Sequence, residues 1–285
     1  MTDAVAIRRA LLRWYRREAR DLPWRRTRDP YCVWLAEILL QQTRVEQGTP
    51  YYDRFVEAFP DVRALAAAEE EQVLKLWEGL GYYTRARNLL RAAQCIVAEH
   101  GGHVPKTAEA LAKLPGVGPY TAAAIASIAY DEAVAVVDGN VRRVLARLFN
   151  VEACIDTPVA EKELWRLANE LLAKTKPGDV NQAMMELGAR VCTPRVPACA
   201  ACPVAKYCAA RAEGAQEQRP VRAARKPPKR RVMVVAAIPK NGRYLVGRRP
   251  AKGLLGGLWE FPTGEVVSGE THQQALARTC RETLG

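Results

Sequence analysis

The chain has 285 residues, 49% of them hydrophobic, with 43 Lys and Arg against 31 Asp and Glu and a formal net charge of +12. That length suits two domains with an appended fragment, and the apolar content is ample for packed cores. No apolar run reaches membrane-spanning length, repeats and low-complexity tracts are absent, and the positive balance selects a polyanionic partner, nucleic acid ahead of an anionic membrane surface.

In chain order, the first 21 residues are arginine-rich and amphipathic, with Ile7, Leu11, Trp14 and Tyr15 at helical spacing. The stretch has the charge of a transit peptide, but it lacks serine and carries Glu18 and Asp21, so it is read as part of the fold. Glu37 follows in an apolar helical pattern, with Val33 and Leu40 one turn away on its own face. Desolvation there favours the protonated carboxyl, which can then act as a general acid near neutral pH. An ion pair within the core is the plainer alternative.

The string Leu114-Pro115-Gly116-Val117-Gly118-Pro119-Tyr120 joins two helical patterns, the first opened by Lys106 and Thr107. Two helices joined by such a turn form a helix–hairpin–helix. Gly116 and Gly118 let backbone approach a ligand closely, and Pro119 suits the first turn of the second helix. The N–H groups at that helix start are suited to a DNA phosphate. Asp138 then closes the apolar run 133–137 and stands at the N-cap of a helix through Val141, Val144, Leu145 and Leu148. The helix end should hold Asp138 ionised. One neutral and one charged carboxyl is the division of labour of glycoside chemistry, although spacing alone does not bring Glu37 and Asp138 together.

Cys192, Cys199, Cys202 and Cys208 fall in the pattern C-x6-C-x2-C-x5-C, led by Met-Glu-Leu-Gly-Ala-Arg. Four soft thiolates in so short a span read as a metal centre, with zinc, copper(I) or an iron–sulfur cluster open on spacing. A pair of disulfides fits poorly with a chain that shows no sign of secretion. Cys32, Cys95, Cys154 and Cys280 are isolated and are expected to be small buried hydrophobes.

From Arg211 to Arg231 there are eight basic and two acidic residues, with Pro220, Pro227 and Pro228, which reads as an extended basic linker over 213–230. Beyond it, residues 231–238 form an apolar β-branched strand pattern, and Arg243–Val246 follow the turn Asn241-Gly242. Gly264, Glu270 and Arg278 then track the opening of a Nudix box. Two of the carboxylates that a magnesium pyrophosphohydrolase needs are missing, which disfavours that activity.

Taken together, Leu22-Pro23-Trp24-Arg25, residues 34–43 (WLAEILLQQT), Gly79-Leu80-Gly81-Tyr82-Tyr83, the hairpin, Val137–Arg142 and the four cysteines resemble the endonuclease III, or helix–hairpin–helix, superfamily of DNA glycosylases. Within it, the chain is similar to the MutY-type adenine DNA glycosylases over its whole length. The resemblance implies a mainly α fold. A six-helix barrel would span 30–135, an iron–sulfur helical domain would combine 1–29 with 136–212, and a partial α/β Nudix-like domain would span 231–285. It implies a [4Fe–4S] cluster on the four cysteines. It implies hydrolytic removal of adenine mispaired with 8-oxoguanine or guanine in double-stranded DNA, by a monomer in the cytoplasm at the nucleoid.

By motif match Glu37 protonates the adenine and Asp138 stabilises the sugar cation. Arg20, Leu22, Trp24, Arg25 and Gln182 match pocket positions, with Asn140 in the same substrate-binding group. Gln42 and Tyr82 match residues that push into the base stack. Tyr120 stands where strand-cleaving relatives carry a lysine, and is expected to support Asp138. The chain also stops at the end of the box where the family continues. The expectation is a truncated, loosely packed C-terminal fragment and weakened discrimination between 8-oxoguanine and guanine.

Overall fold

The computed structural model describes residues 3–224, 227–250, 253 and 255–284. Of stretches named above, Met1, Thr2, Arg225, Lys226, Ala251, Lys252, Leu254 and Gly285 lie outside the described residues. Residues 3–81 and 85–223 form one compact unit, and 82–84 with those from 224 onward form a second. Apart from residues 82–84, the two helical stretches expected from the sequence fall within the same unit.

The first unit is helical: α1 (Ala4–Glu18), α2 (Pro30–Leu39), α3 (Val45–Ala58), α4 (Val62–Ala66), α5 (Glu70–Trp77), α6 (Thr84–His100), α7 (Ala108–Leu111), α8 (Pro119–Tyr130), α9 (Gly139–Leu148), α10 (Pro158–Leu171), α11 (Pro177–Arg190) and α12 (Ala209–Ala212). Many starts are written in side chains. Asp3, Asp29, Asp61, Thr107, Asp138 and Thr157 each accept a backbone N–H of the turn they open. Proline occupies the first turn of α2, α8, α10 and α11, where its missing N–H costs nothing.

α8 is central. Its residues 121–128 are all buried, as expected of a helix that is apolar on every side. It packs against α2, α7 and α11. Gly178 permits the approach of α11, since a Cβ there would fall 2.5 Å from the Ser127 carbonyl oxygen. A second core joins distant parts of the chain: Ile7, Leu11 and Trp14 of α1 pack with Val144 and Leu145 of α9, Leu164 of α10 and Leu187 of α11. Buried Asn181 stitches the extended run before α9. Its Oδ1 accepts from Val136 N–H at 3.1 Å and its Nδ2 donates to the Val134 carbonyl at 2.9 Å. That anchoring fixes where Asp138 emerges. Among the described residues, no helix is long and apolar enough to cross a membrane.

In the second unit, β1 (Met233–Val235) pairs antiparallel with β6 (Thr263–Glu265), β2 (Pro239–Lys240) with β3 (Arg243–Tyr244), and β4 (Gly247–Arg248) with β5 (Trp259–Glu260); α13 (His272–Leu284) follows. The expected strand over 231–238 is cut to three residues, because β1 has a single partner strand and residues 236–238 lead directly into the next hairpin. Within the box, Arg278 clamps Glu270 through two bonds of 2.9 Å. Its buried residues among those described are Ala236, Gly256, Pro262, Ala275 and Thr279, a thin core of small side chains.

Candidate active site

Glu37 lies in the last full turn of α2, between buried Ala36 and Ile38. Tyr120 lies in the first turn of α8. Because these helices pack together, the Tyr120 hydroxyl donates to Glu37 Oε2 at 2.5 Å, and the hydroxyl oxygen also lies 3.6 Å from Met185 Sδ. Burial drives the Glu37 carboxyl up to about 7; the Tyr120 bond opposes the rise, the Asp138 charge adds to it, and Arg25 opposes it again. Such a group exchanges its proton near neutral pH.

Asp138 accepts the Val141 N–H at 2.7 Å and the Asn140 side-chain amide at 2.9 Å. Both bonds favour the carboxylate, yet burial outweighs them and Asp138 is raised above its ordinary value. The expected partner of Tyr120 needs a correction: its hydroxyl bonds Glu37, since the first turn of α8 faces α2.

Both carboxyls line one cleft of about 420 Å³ in the first unit, together with Arg20, Leu22, Trp24, Arg25, Tyr120, Asn140 and Gln182. The same cleft contains Glu186, whose role was not legible in the sequence. Its fully buried carboxylate is bonded by Arg20 Nε at 2.8 Å and Arg25 Nη2 at 2.8 Å. Burial alone would raise Glu186, but the bonds from Arg20 and Arg25 prevail and hold it down at about 2. The only sequence signal was a carboxylate in the helix leading to the cysteines.

The model of the HhH-GPD superfamily base excision DNA repair proteins matches residues 35–170, and that of the NUDIX domain matches 233–285. The adenine DNA glycosylase of Homo sapiens is 41% identical over 338 aligned positions, which cover all of this chain and 61% of that protein. That of Schizosaccharomyces pombe is 35% identical, with 92% of this chain and 70% of the relative covered. The chain belongs to the adenine DNA glycosylase family. It spans about three fifths of the length of the human member. Among solved structures, a thermostable thymine-DNA glycosylase matches with TM-score 0.66 and 31% identity over 74% of this chain and 97% of that one. A trapped endonuclease III–DNA covalent intermediate matches with TM-score 0.62 and 24% identity, over 75% and 99%, and shares the fold.

Other residues matched to the family's motifs lie outside the cleft lining. Gln42 follows α2 with φ of 59° and an exposed side chain. Tyr82, with φ of 49°, is 65% exposed. In the hairpin, Gly116 has φ of 74° and lies against Asn88, so its backbone suits glycine, whereas Gly118 has ordinary φ and open space where a Cβ would stand.

Cys192, Cys199, Cys202 and Cys208 line one small cavity with Arg147, and all four thiols are free of disulfides. Arg147 Nη1 lies 3.4 Å from Cys192 Sγ. Among the described residues no group of three or more His, Cys, Asp and Glu side chains is set to hold a metal ion. Four soft donors nevertheless line one cavity, a donor set that suits a thiolate-bound metal centre. Cys32, Cys95, Cys154 and Cys280 are half-buried, not the buried hydrophobes expected.

Proposed function

We propose that this chain hydrolyses the N-glycosidic bond of adenine mispaired with 8-oxoguanine or guanine in duplex DNA, without cutting the strand. The observation that carries the reading is Glu37, held by Tyr120 and raised to about 7 in the cleft that also holds Asp138. The target base leaves the stack at a cost of a few kcal/mol, less at a mispair. Glu37 gives its proton to adenine N7, the C1′–N9 bond breaks with its electron pair moving to the base, and Asp138 stabilises the sugar cation. Water then adds to C1′ and returns its proton to Glu37, leaving adenine and an abasic site.

Arg20, Leu22, Trp24, Arg25, Asn140 and Gln182 would surround the extruded base. Gln182 offers both a donor and an acceptor to a purine edge. Gln42 and Tyr82 would enter the stack beside the mispair, and the backbone at Gly116 and Gly118 would take a phosphate. A [4Fe–4S] cluster on the four cysteines fits their shared cavity; when bound, it would supply covalent cross-links that shape this loop. Monofunctional action is supported by the absence of lysine among the described residues lining the cleft, since a lyase needs an amine there. The working form would be a monomer in the cytoplasm, at the nucleoid. The division into a barrel over 30–135 and a cluster domain from 1–29 with 136–212 belongs to the same proposal.

Single-turnover adenine release from a duplex with one 8-oxoguanine–adenine pair tests the reading. The expected result is release by the parent and none by Glu37→Gln, with strand breaks only after alkali. Breaks before alkali, trapped by borohydride, would establish a lyase instead. Binding without release would leave a DNA-binding protein.

A further inference from the structure

The last carbonyls of α2 lack partners within their own helix, and a side chain from α6 supplies them. Arg85 Nη1 donates to the Ile38 carbonyl at 3.0 Å, to that of Leu39 at 3.4 Å and to that of Gln41 at 2.5 Å. A cation at a helix C-terminus is favourable in itself. Gln41, however, lies beyond the helix, so the guanidinium holds the turn as well as the cap. The same guanidinium stacks 5.0 Å from the ring centre of buried Trp77. The indole in turn donates from Nε1 to the Gly81 carbonyl at 2.8 Å.

Gln41 is anchored a second time, its Nε2 donating to Thr121 Oγ1 of α8 at 3.0 Å. On the far side of Gln42, Thr43 N–H bonds the Leu40 carbonyl at 3.2 Å. Gln42 stands between these anchors in the left-handed region, exposed. A glutamine rarely adopts that backbone unless its surroundings impose it. We propose that Arg85, braced by Trp77, is a positioning residue that fixes the turn presenting Gln42 to the DNA stack. The inference rests on the reading of Gln42 as the side chain that enters the stack. Arg85 acts on base extrusion through that turn and has no part in breaking the glycosidic bond.

The test uses the full chain in a Glu37→Gln background, so that no base is lost, and a duplex with 2-aminopurine opposite 8-oxoguanine. Fluorescence on binding reports the extruded fraction. Gln42→Ala and Arg85→Lys are each expected to lower it about tenfold, the scale of charge-assisted hydrogen bonds. The double variant should fall no further than Gln42→Ala alone, because Arg85 works through Gln42. A general loss of packing would instead multiply the two effects. Full extrusion by Arg85→Lys, or a multiplied loss in the double variant, overturns the proposal. Full extrusion by Gln42→Ala removes the stack-entry reading itself, and the inference falls with it. If Arg85→Lys fails to fold, Arg85→Gln serves in its place with the same expected outcomes.

Discussion

The Tyr120 hydroxyl and Glu37 Oε2 are 2.5 Å apart, although 83 positions separate the two residues in sequence. The bond lowers the Glu37 value while burial raises it, and the balance falls at about 7. A general acid works only when protonated. Base release should therefore be full below pH 7 and fall about tenfold per pH unit above it. Tyr120→Phe removes an influence that lowers Glu37, so its alkaline limb should move to higher pH. A single-turnover pH profile of both proteins decides this; an unmoved limb in Tyr120→Phe would detach the phenol from Glu37.

Burial of Glu37 also sets a stability trend. Its folded value, about 7, lies above the ordinary 4.5. The unfolded chain therefore loses this proton first, and stability declines as pH rises from 4.5 to 7, with the full cost above 7. Glu37→Gln should be more stable than the parent at pH 8 by up to about 3 kcal/mol, and the gain should vanish near pH 4.5. Urea unfolding at the two pH values measures it. A gain of equal size at both would place its origin outside ionisation.

Glu186 behaves in the opposite sense. Its folded value, about 2, lies below the ordinary 4.5. Its stabilising effect is present above pH 4.5 and is lost as pH falls toward 2. Glu186→Gln leaves Arg20 and Arg25 without their shared counter-charge, at a cost of about 3–5 kcal/mol at pH 7. The difference from the parent should shrink as pH falls from 4.5 toward 2, where Glu186 of the parent takes up its own proton. A penalty that ignores pH would mean the carboxylate is needed for shape alone.

Gly188 gives a steric test. A Cβ there would meet Asn140 Cβ at 2.6 Å and its Cα at 3.0 Å, and Asn140 is the residue whose amide bonds Asp138. Gly188→Ala should destabilise the fold by about 1–3 kcal/mol and slow base release by more than that loss of folded protein explains. Normal release per folded molecule would show that Asn140 can shift without disturbing Asp138.

Features set by local chemistry were legible in the sequence. Thr107 and Asp138 announce helix starts through their side chains, and Pro119 announces another through its fixed φ. The amphipathic spacing of Ile7, Leu11 and Trp14 gave both α1 and its buried face. What escaped depends on helix packing. The ion pairs from Arg20 and Arg25 to Glu186 span 166 and 161 positions, and no periodicity encodes a pair so far apart. The partner of Tyr120 is hidden for the same reason, since the packing of α2 against α8 decides that the phenol meets Glu37. Arg85 was silent because an arginine on an amphipathic helix reads as a solvated charge until its reach to another helix is known.

The basic run after the cysteines begins under restraint. Arg147 Nε holds the Arg219 carbonyl at 2.9 Å, Ile155 N–H holds that of Val221 at 3.0 Å, and Asp156 accepts from Ala223 N–H at 3.0 Å. A protease needs its substrate backbone free and extended. Arg222 should therefore resist trypsin despite its chemistry, and digestion should spare the chain up to Ala223. A helical fragment prepared by cleavage would retain its own strap, and one cut by design at the last cysteine would lose it.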